Sequence, residues 1–502
     1  MNTVKRILYF YLIMVFLGAG LCLLLPFPVE AGKGKAIDLQ LILDKLEDMS
    51  RRINALEKRD AKISPKSSPE VAREVENLKE NFTDIASRLD KVELKSILDK
   101  IQMGGEIRFR NDFLQMKDKK TSKTTRSDNN WSTRFRLNLK ADITDNIKFH
   151  SRLTSFKMWG DSTSEEMFEG VRMDMNMGRL PTTDGNLHVE QAYIDYFLDN
   201  FPLSFTLGRF CTTDGPPVDL QDNITRKATF PSLLVNAEMD AIILTLGLEQ
   251  WTGLKGSTLR PYYAKAFQDT ASVVTEFDLD DTTAMGIMFE TPIPGIKKSL
   301  FQMNYTRAFD IPSIRNLPAP ALVIRDQVKS VGDLDLIVGH LQLNDIKKSG
   351  IDCFLSLAYS HTNPFSHGTR LITGQELGLL GDNINGDLGK SRSGHAIFTG
   401  LRYTIPCDLM KNPKVGFEYN YGSKYWVGMF TGGSDDPLHK LMVNGDGIDF
   451  YYIQPLHSKH AFMRFGCTQV THDYSPDFGP YGARESVDRE MRSFYGLMDI
   501  RF

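Results

Sequence analysis

What the 502-residue chain lacks narrows it first. Its five cysteines include no C-x-x-C pair, which excludes covalent haem attachment and the usual zinc spacings. No Gly-x-Ser-x-Gly, P-loop or dinucleotide fingerprint occurs, and no helix–strand alternation exists to carry one, so the enzyme classes those motifs serve are not supported and no cofactor is expected. A formal net charge of −3 argues against nucleic acid as partner. Only one long apolar run occurs, Ile7 to Leu25, so no second membrane-crossing helix is expected. The mean hydropathy of −0.28 resembles that of a soluble protein. A chain that crosses a bilayer as strands shows lipid only alternate residues, so this value excludes nothing. Residues 36–100 contain no Gly, Cys, Trp or Tyr.

The apolar run follows Lys5 and Arg6 and ends at Pro26 and Pro28, before Val29-Glu30-Ala31. This is the pattern of an export signal over 1–31, removed after Ala31; the prolines favour cleavage over retention as an anchor. Leu21 before Cys22 is wrong for lipid attachment, which wants a small residue there. Residues 32–102 read as a helical periplasmic stalk. Leu39, Ile42, Leu46, Met49, Ile53 and Leu56 alternate spacings of three and four, and Val71, Val75, Leu78, Phe82, Ile85, Leu89 and Val92 resume the pattern after a break at 64–69. Such heptads predict either self-association as a coiled coil or a helical hairpin within one chain; Leu at a with Ile at d leans toward three or four strands.

From Met103 helical periodicity stops, and Gly, aromatics and period-two alternation begin. Strands are expected near 104–111, 131–141, 147–157, 187–198, 203–210, 238–249, 258–267, 283–290, 299–309, 333–343, 350–360, 394–405, 413–423, 447–454, 460–470 and 491–502. Short connections alternate with long ones, beginning with a long segment over 112–130. Strand faces agree: Ile351, Cys353, Leu355 and Leu357 oppose Asp352, Ser356 and Ser360. In 491–502, Phe494, Gly496, Met498, Ile500 and Phe502 oppose Ser493, Tyr495, Asp499 and Arg501. Apolar outside, polar inside and alternating loop lengths predict an all-β transmembrane fold, an antiparallel barrel of about sixteen strands over 103–502. Trp131, Trp159, Trp251 and Trp426 fall near strand ends, where interfacial aromatic girdles belong.

Gly105-Glu106-Ile107-Arg108-Phe109-Arg110, the phrase Glu190-Gln191-Ala192-Tyr193-Ile194-Asp195-Tyr196, then Thr206-Leu207-Gly208-Arg209, and a terminal Phe502 together resemble a porin of Gram-negative bacteria with a periplasmic coiled coil, of a porin-like family catalogued as a domain of unknown function. The resemblance implies an outer-membrane location with the stalk in the periplasm. It also implies Phe502 as the signal read by the barrel assembly machinery, contact with outer-membrane lipid, and a homo-oligomer, a trimer by preference. It implies passive diffusion of small hydrophilic solutes or ions. Two other readings remain open: a structural tether from outer membrane to cell wall, the stalk touching the wall, and a barrel sheath for a partner such as an electron-transfer protein.

Inward parity places Arg108, Arg110, Arg134, Arg136, Lys148, His150 and Arg152 on three neighbouring strands, one basic wall facing the pore. The third long segment, Cys211 to Ala237, carries Asp214, Asp219 and Asp222, then Arg226 and Lys227. In porins that loop commonly folds inward; by resemblance it would stand across from the basic wall and constrict the pore, the alternative being a loop folded outward. His457-x-x-His460 and Asp382-Asn383-Ile384-Asn385-Gly386-Asp387 read as turns rather than metal sites.

Overall fold

The computed structural model describes residues 101–160, 187–212, 215–224, 226–235, 238–267, 280–313, 329–428, 436–438, 440–457, 460–474 and 481–502. The expected export signal, the stalk with its break at 64–69, and Asp214 lie outside the described residues.

Among the described residues nineteen strands follow in chain order. They are β1 (Ile101–Asp118), β2 (Thr124–Asp142), β3 (Ile147–Met158), β4 (His188–Phe197), β5 (Leu203–Cys211), β6 (Glu238–Gly247), β7 (Thr258–Phe267) and β8 (Thr282–Thr291). After these come β9 (Ser299–Pro312), β10 (Ser330–Leu343), β11 (Ile351–Pro364), β12 (Thr369–Arg370), β13 (Glu376–Gly378) and β14 (Gly381–Asp382). The last are β15 (Ser393–Thr404), β16 (Lys414–Gly422), β17 (Gly445–His457), β18 (Ala461–Tyr474) and β19 (Ser486–Arg501). All but β12 to β14, which form a small sheet of their own, close into one sixteen-stranded barrel in which each strand pairs with its sequence neighbour. The seam joins β1 to β19 antiparallel, Glu106 opposite Arg501 and Asp118 opposite Arg489. At its foot Gly105 and Phe502 exchange backbone hydrogen bonds of 2.8 and 3.0 Å. A Cβ at Gly105 would run into the Phe502 ring, so a side chain there would have to displace that ring.

Alternation sorts the side chains as expected. Leu357, Leu401, Phe450 and Phe494 point outward and are half exposed, whereas Ser356, Arg402, Asp449 and Ser493 beside them point inward and are buried. Fully covering one such apolar side chain is worth about 1.5–3 kcal/mol. A whole belt of them left in water would be untenable, so the outer face is one built for lipid. No helix among the described residues is long and apolar enough to cross a membrane; the crossing elements are strands. Closure gives every strand of the barrel a partner on both sides, the condition for spanning hydrocarbon.

Two expectations are corrected. The segment 112–130 is not a long loop: β1 runs on to Asp118 and β2 begins at Thr124, with one register shift between Asp112 and Leu114. Asn111, Phe113, Gln115 and Lys117 keep alternating with Asp112, Leu114 and Met116, so the ladder continues past the point where hydrophobicity falls. Trp426 is no girdle residue. It is buried at 1% exposure with its indole N–H donating to Leu441 O at 3.3 Å, because the segment that carries it folds inward. Trp131 and Trp159 do lie outside and stack at 5.2 Å near the long-loop rim, and Trp251 is exposed at the short-turn rim. Cys211, Cys353, Cys407 and Cys467 form no disulfide among the described residues.

The lumen is not uniformly polar. Beneath β6 to β11 and β15, inward residues such as Ile243, Met288, Leu334, Leu336, Val338 and Phe398 pack against Leu220, Phe230, Leu233 and Leu234 from the β5–β6 connection. Leu377 and Leu380 from the β11–β15 segment join the same core, as do Trp426 and Leu441. One side of the barrel is therefore largely filled with apolar matter, and the densest set of buried ion pairs lies on the other.

Candidate functional site

The charged half is built by register. Arg108 on β1 faces Arg134 on β2, a like-charged pair that would be destabilising alone. Carboxylates answer it from the neighbouring strands. Arg108 Nε donates to Asp499 Oδ2 at 2.9 Å across the seam, Arg134 pairs with Glu106, and Arg136 Nη2 donates to Glu190 Oε1 at 2.7 Å. Arg108, Arg110, Arg134 and Arg136 are buried at 1–3% exposure. Arg110 is held by Asp112 at 2.7 Å and by Asp436, with its guanidinium 4.6 Å above the Tyr495 ring. Charges so deep are tolerated only when paired and hydrogen-bonded.

The inward-folded segments are fastened to this wall by the same chemistry. Asp222 of the β5–β6 connection accepts from Arg108 Nη2 at 2.7 Å and from Lys227 Nζ at 2.9 Å, with Arg464 at 3.6 Å. Burial alone would raise the Asp222 carboxyl, yet Arg108, Lys227 and Arg464 hold it well below the usual range. Gln221 donates to Glu418 at 2.7 Å and to Asp449 at 2.9 Å; Lys440, from the β16–β17 connection, reaches both carboxylates at 2.6 Å. On the far wall Arg226 makes a two-bond contact with Glu290 at 2.8 and 2.6 Å, and Arg402 Nη1 donates to Leu220 O at 2.6 Å. Asp219 differs: it is fully buried, neither carboxylate oxygen has a hydrogen-bond partner, and burial pushes it up to about 8.

A cavity of about 570 Å³ remains in the half of the barrel nearer the short turns. Asn138, Lys140, His150, Arg152, Gln191, Tyr193 and Asp195 line one side; Phe210, Phe230 and Ile243 line the other. His150 Nε2 lies 3.4 Å from Asp195 Oδ2, and the His150 and Tyr193 rings stack at 4.9 Å.

The basic residues expected from parity are thus brought together inside the barrel but divide in two. Arg108, Arg110, Arg134 and Arg136 are buried in ion pairs. Lys148, His150 and Arg152 are half exposed, and His150 and Arg152 line the cavity. Asp222 does not stand opposite the basic wall; it is bonded to it, so the two sets of charge neutralise each other instead of facing across a gap. Asp219 sits in the same segment yet contacts no cation directly. Glu106, Glu190 and Asp499, the counter-charges, were missed as site residues, although Glu106 shares the parity of Arg108 and Arg110 and could have been found that way. The Asp382–Asp387 turn spends its carboxylates on its own backbone: Asp382 Oδ1 accepts from Asn385 N at 2.7 Å, and Asp387 Oδ1 from Asp382 N at 2.9 Å.

The family model described as "Protein of unknown function (DUF3373)" matches residues 124–498. Among solved structures, the chain is similar to OprB of Pseudomonas putida at high pH, with 12% identity and a TM-score of 0.45 over 81% of this chain and 96% of that one. It is also similar to an anion-selective porin from Comamonas acidovorans, at 9% identity and a TM-score of 0.45 over 80% and 99%. A Salmonella typhi OmpF complex with daunomycin is similar at 11% identity and a TM-score of 0.42 over 80% and 97%. Among curated proteins none matches.

Proposed function

The chain belongs to the DUF3373 family, and we propose that it is an outer-membrane channel through which small hydrophilic solutes or ions diffuse passively. The observation that carries this reading is the cavity of about 570 Å³ inside a closed barrel with an apolar outer belt, lined on one side by polar and charged groups that include the parity-selected His150 and Arg152. A route of water along that wall would be narrowed by the β5–β6 connection, with Lys148, His150 and Arg152 as its lining. Lys148, its ammonium 5.6 Å above the Phe197 ring, would stand at the entrance of that route.

In this reading the short-turn rim faces the periplasm, the compartment that also holds the stalk of 32–102. The heptads of that stalk support a homo-oligomer, with three chains as the number to test first, and a contact with the cell wall. Barrel assembly machinery would insert the β-domain. Liposome swelling tests the channel: proteoliposomes should admit small sugars and exclude large oligosaccharides. A tight barrel that admits none would overturn it. The apolar packing beneath β6 to β11 favours one second reading, a barrel that serves as an anchor between outer membrane and cell wall; loss of envelope cohesion on deletion, with permeability unchanged, would select it.

A further inference from the structure

The cavity differs from the rest of the charged lumen in how its cations are provided for. Register gives each deep arginine of β1 and β2 a carboxylate on an adjoining strand or on an inward segment. It gives Lys140 and Arg152 none. Lys140 lies between Gln102 on β1 and His150 on β3, and Arg152 between Asn138 on β2 and Gln191 on β4. Arg152 Nε donates to Asn138 Oδ1 at 2.7 Å, an amide that satisfies the hydrogen bond and leaves the charge uncompensated. Among the described residues neither cation has an ion-pair partner. The two sit on diagonal positions of neighbouring strands, so their fields add. Asp195 is the one carboxylate in the lining, and it already accepts from Thr206 and faces His150. Lys227 and Arg260 reach the lining too, but Asp222 and Glu290 pair with them at 2.9 and 3.2 Å.

Across from this patch the lining has an apolar stretch, flanked by Thr206, Thr229 and Thr245. Phe210 and Phe230 stack at 6.0 Å, with Ile243 beside them. A cavity with an apolar floor and a few convergent polar groups, in the size range that holds small molecules, is the usual form of a ligand site. Simple inorganic anions would use the cations and leave the floor in water; neutral apolar molecules would leave Lys140 and Arg152 unanswered. We infer that the cavity is a binding site for amphipathic organic anions, an apolar body bearing a carboxylate that sits between Lys140 and Arg152. The inference deepens the channel reading, since it names the solutes that would be favoured in passage.

Benzoate is the probe, measured by titration calorimetry on the folded full-length protein in detergent, against benzyl alcohol and benzylammonium. Benzoate should bind, and the neutral and cationic analogues should bind about tenfold more weakly or worse. Lys140→Gln with Arg152→Gln should cost benzoate about tenfold or more in affinity, whereas Lys298→Gln, exposed at the short-turn rim, should change nothing. If the double variant does not assemble, each single variant and the three-ligand series on the unaltered protein decide the matter. Benzoate binding that is absent, indifferent to ligand charge, or undiminished in the variants overturns the inference. Single-channel recording separates it from the channel reading. Conductance without benzoate binding removes the site and leaves the channel; benzoate binding in an electrically silent barrel keeps the site and removes the channel.

Discussion

Arg108 and Asp222 stand 114 positions apart in the chain and 2.7 Å apart in the structure. Arg108 belongs to the barrel wall and Asp222 to the connection folded inside it, so one buried ion pair fastens the internal segment to the strand that closes the barrel. Asp499, on the closing strand, shares the same guanidinium at 2.8 Å. The cation thus joins three parts of the fold at once.

Removing the carboxylate from that junction should loosen the segment without unmaking the barrel. Asp222→Asn leaves Arg108 and Lys227 short of a counter-charge in a dry place, a change that typically costs about 3–5 kcal/mol. Heat-modifiable barrel should persist, and limited proteolysis should cut within 212–237 more readily than in the unaltered protein. Equal resistance in that segment would show that the pair does not hold it.

Arg134→Glu with Arg136→Glu would, on parity alone, only alter the charge of a water-filled wall. The structure predicts otherwise. Both arginines are 1% exposed, and the new carboxylates would sit against Glu106 and Glu190 with their cations gone. Assembly should fail, read as loss of the heat-modifiable band. Lys140→Glu with Arg152→Glu, at the half-exposed cavity wall, should assemble normally.

Asp219 sets a pH dependence whose sign is fixed by burial. Its carboxyl is pushed up to about 8, against 3.8 for the unburied group. The fold therefore holds a proton that the unfolded chain releases, and this contribution is complete at low pH. It is lost progressively as pH rises from about 4 to about 8, and is gone above that. Asp219→Asn keeps the group neutral at every pH. The variant should match the unaltered protein near pH 4 and exceed it at pH 8, by on the order of 5 kcal/mol. Thermal unfolding at the two pH values checks this; a gain at pH 4 equal to that at pH 8 would contradict it.

Bilayer contact can be read from the tryptophans. Trp131, Trp159 and Trp251 are exposed on the outer surface near the two rims, while Trp426 is buried within. Lipids brominated on the acyl chain should quench the fluorescence of the first group. Trp426→Phe should remove an unquenched component and leave the quenched one intact. Quenching that disappears with Trp426 would place the lipid boundary elsewhere.

Much of the barrel was legible because a strand with lipid on one side and polar groups on the other writes its orientation into every second residue. Leu355 and Leu357 against Ser356 and Ser360 is such a case, and the structure keeps their parity. Alternation fails where both faces are apolar. Leu334, Leu336 and Val338 point into the lumen while Ile337 points out, and nothing local marks the inner set as core, because the apolar matter it meets arrives from residues 218–235. The basic wall was legible as a face and not as an environment. Ion pairing depends on register and on where a distant connection folds, and neither Asp222 nor Glu190 announces in the sequence that it will sit beside an arginine. Trp426 was misplaced for the same reason: nearness to a strand end does not say whether the following segment turns out or in.

In the proposed channel a conducting path survives beside the packed half of the lumen. Planar-bilayer recording of the purified, folded protein in potassium chloride tests it most directly. Discrete current steps are expected in the unaltered protein, and larger steps once Asp222→Asn frees the internal segment. Fully assembled barrels that stay electrically silent in both forms would contradict it.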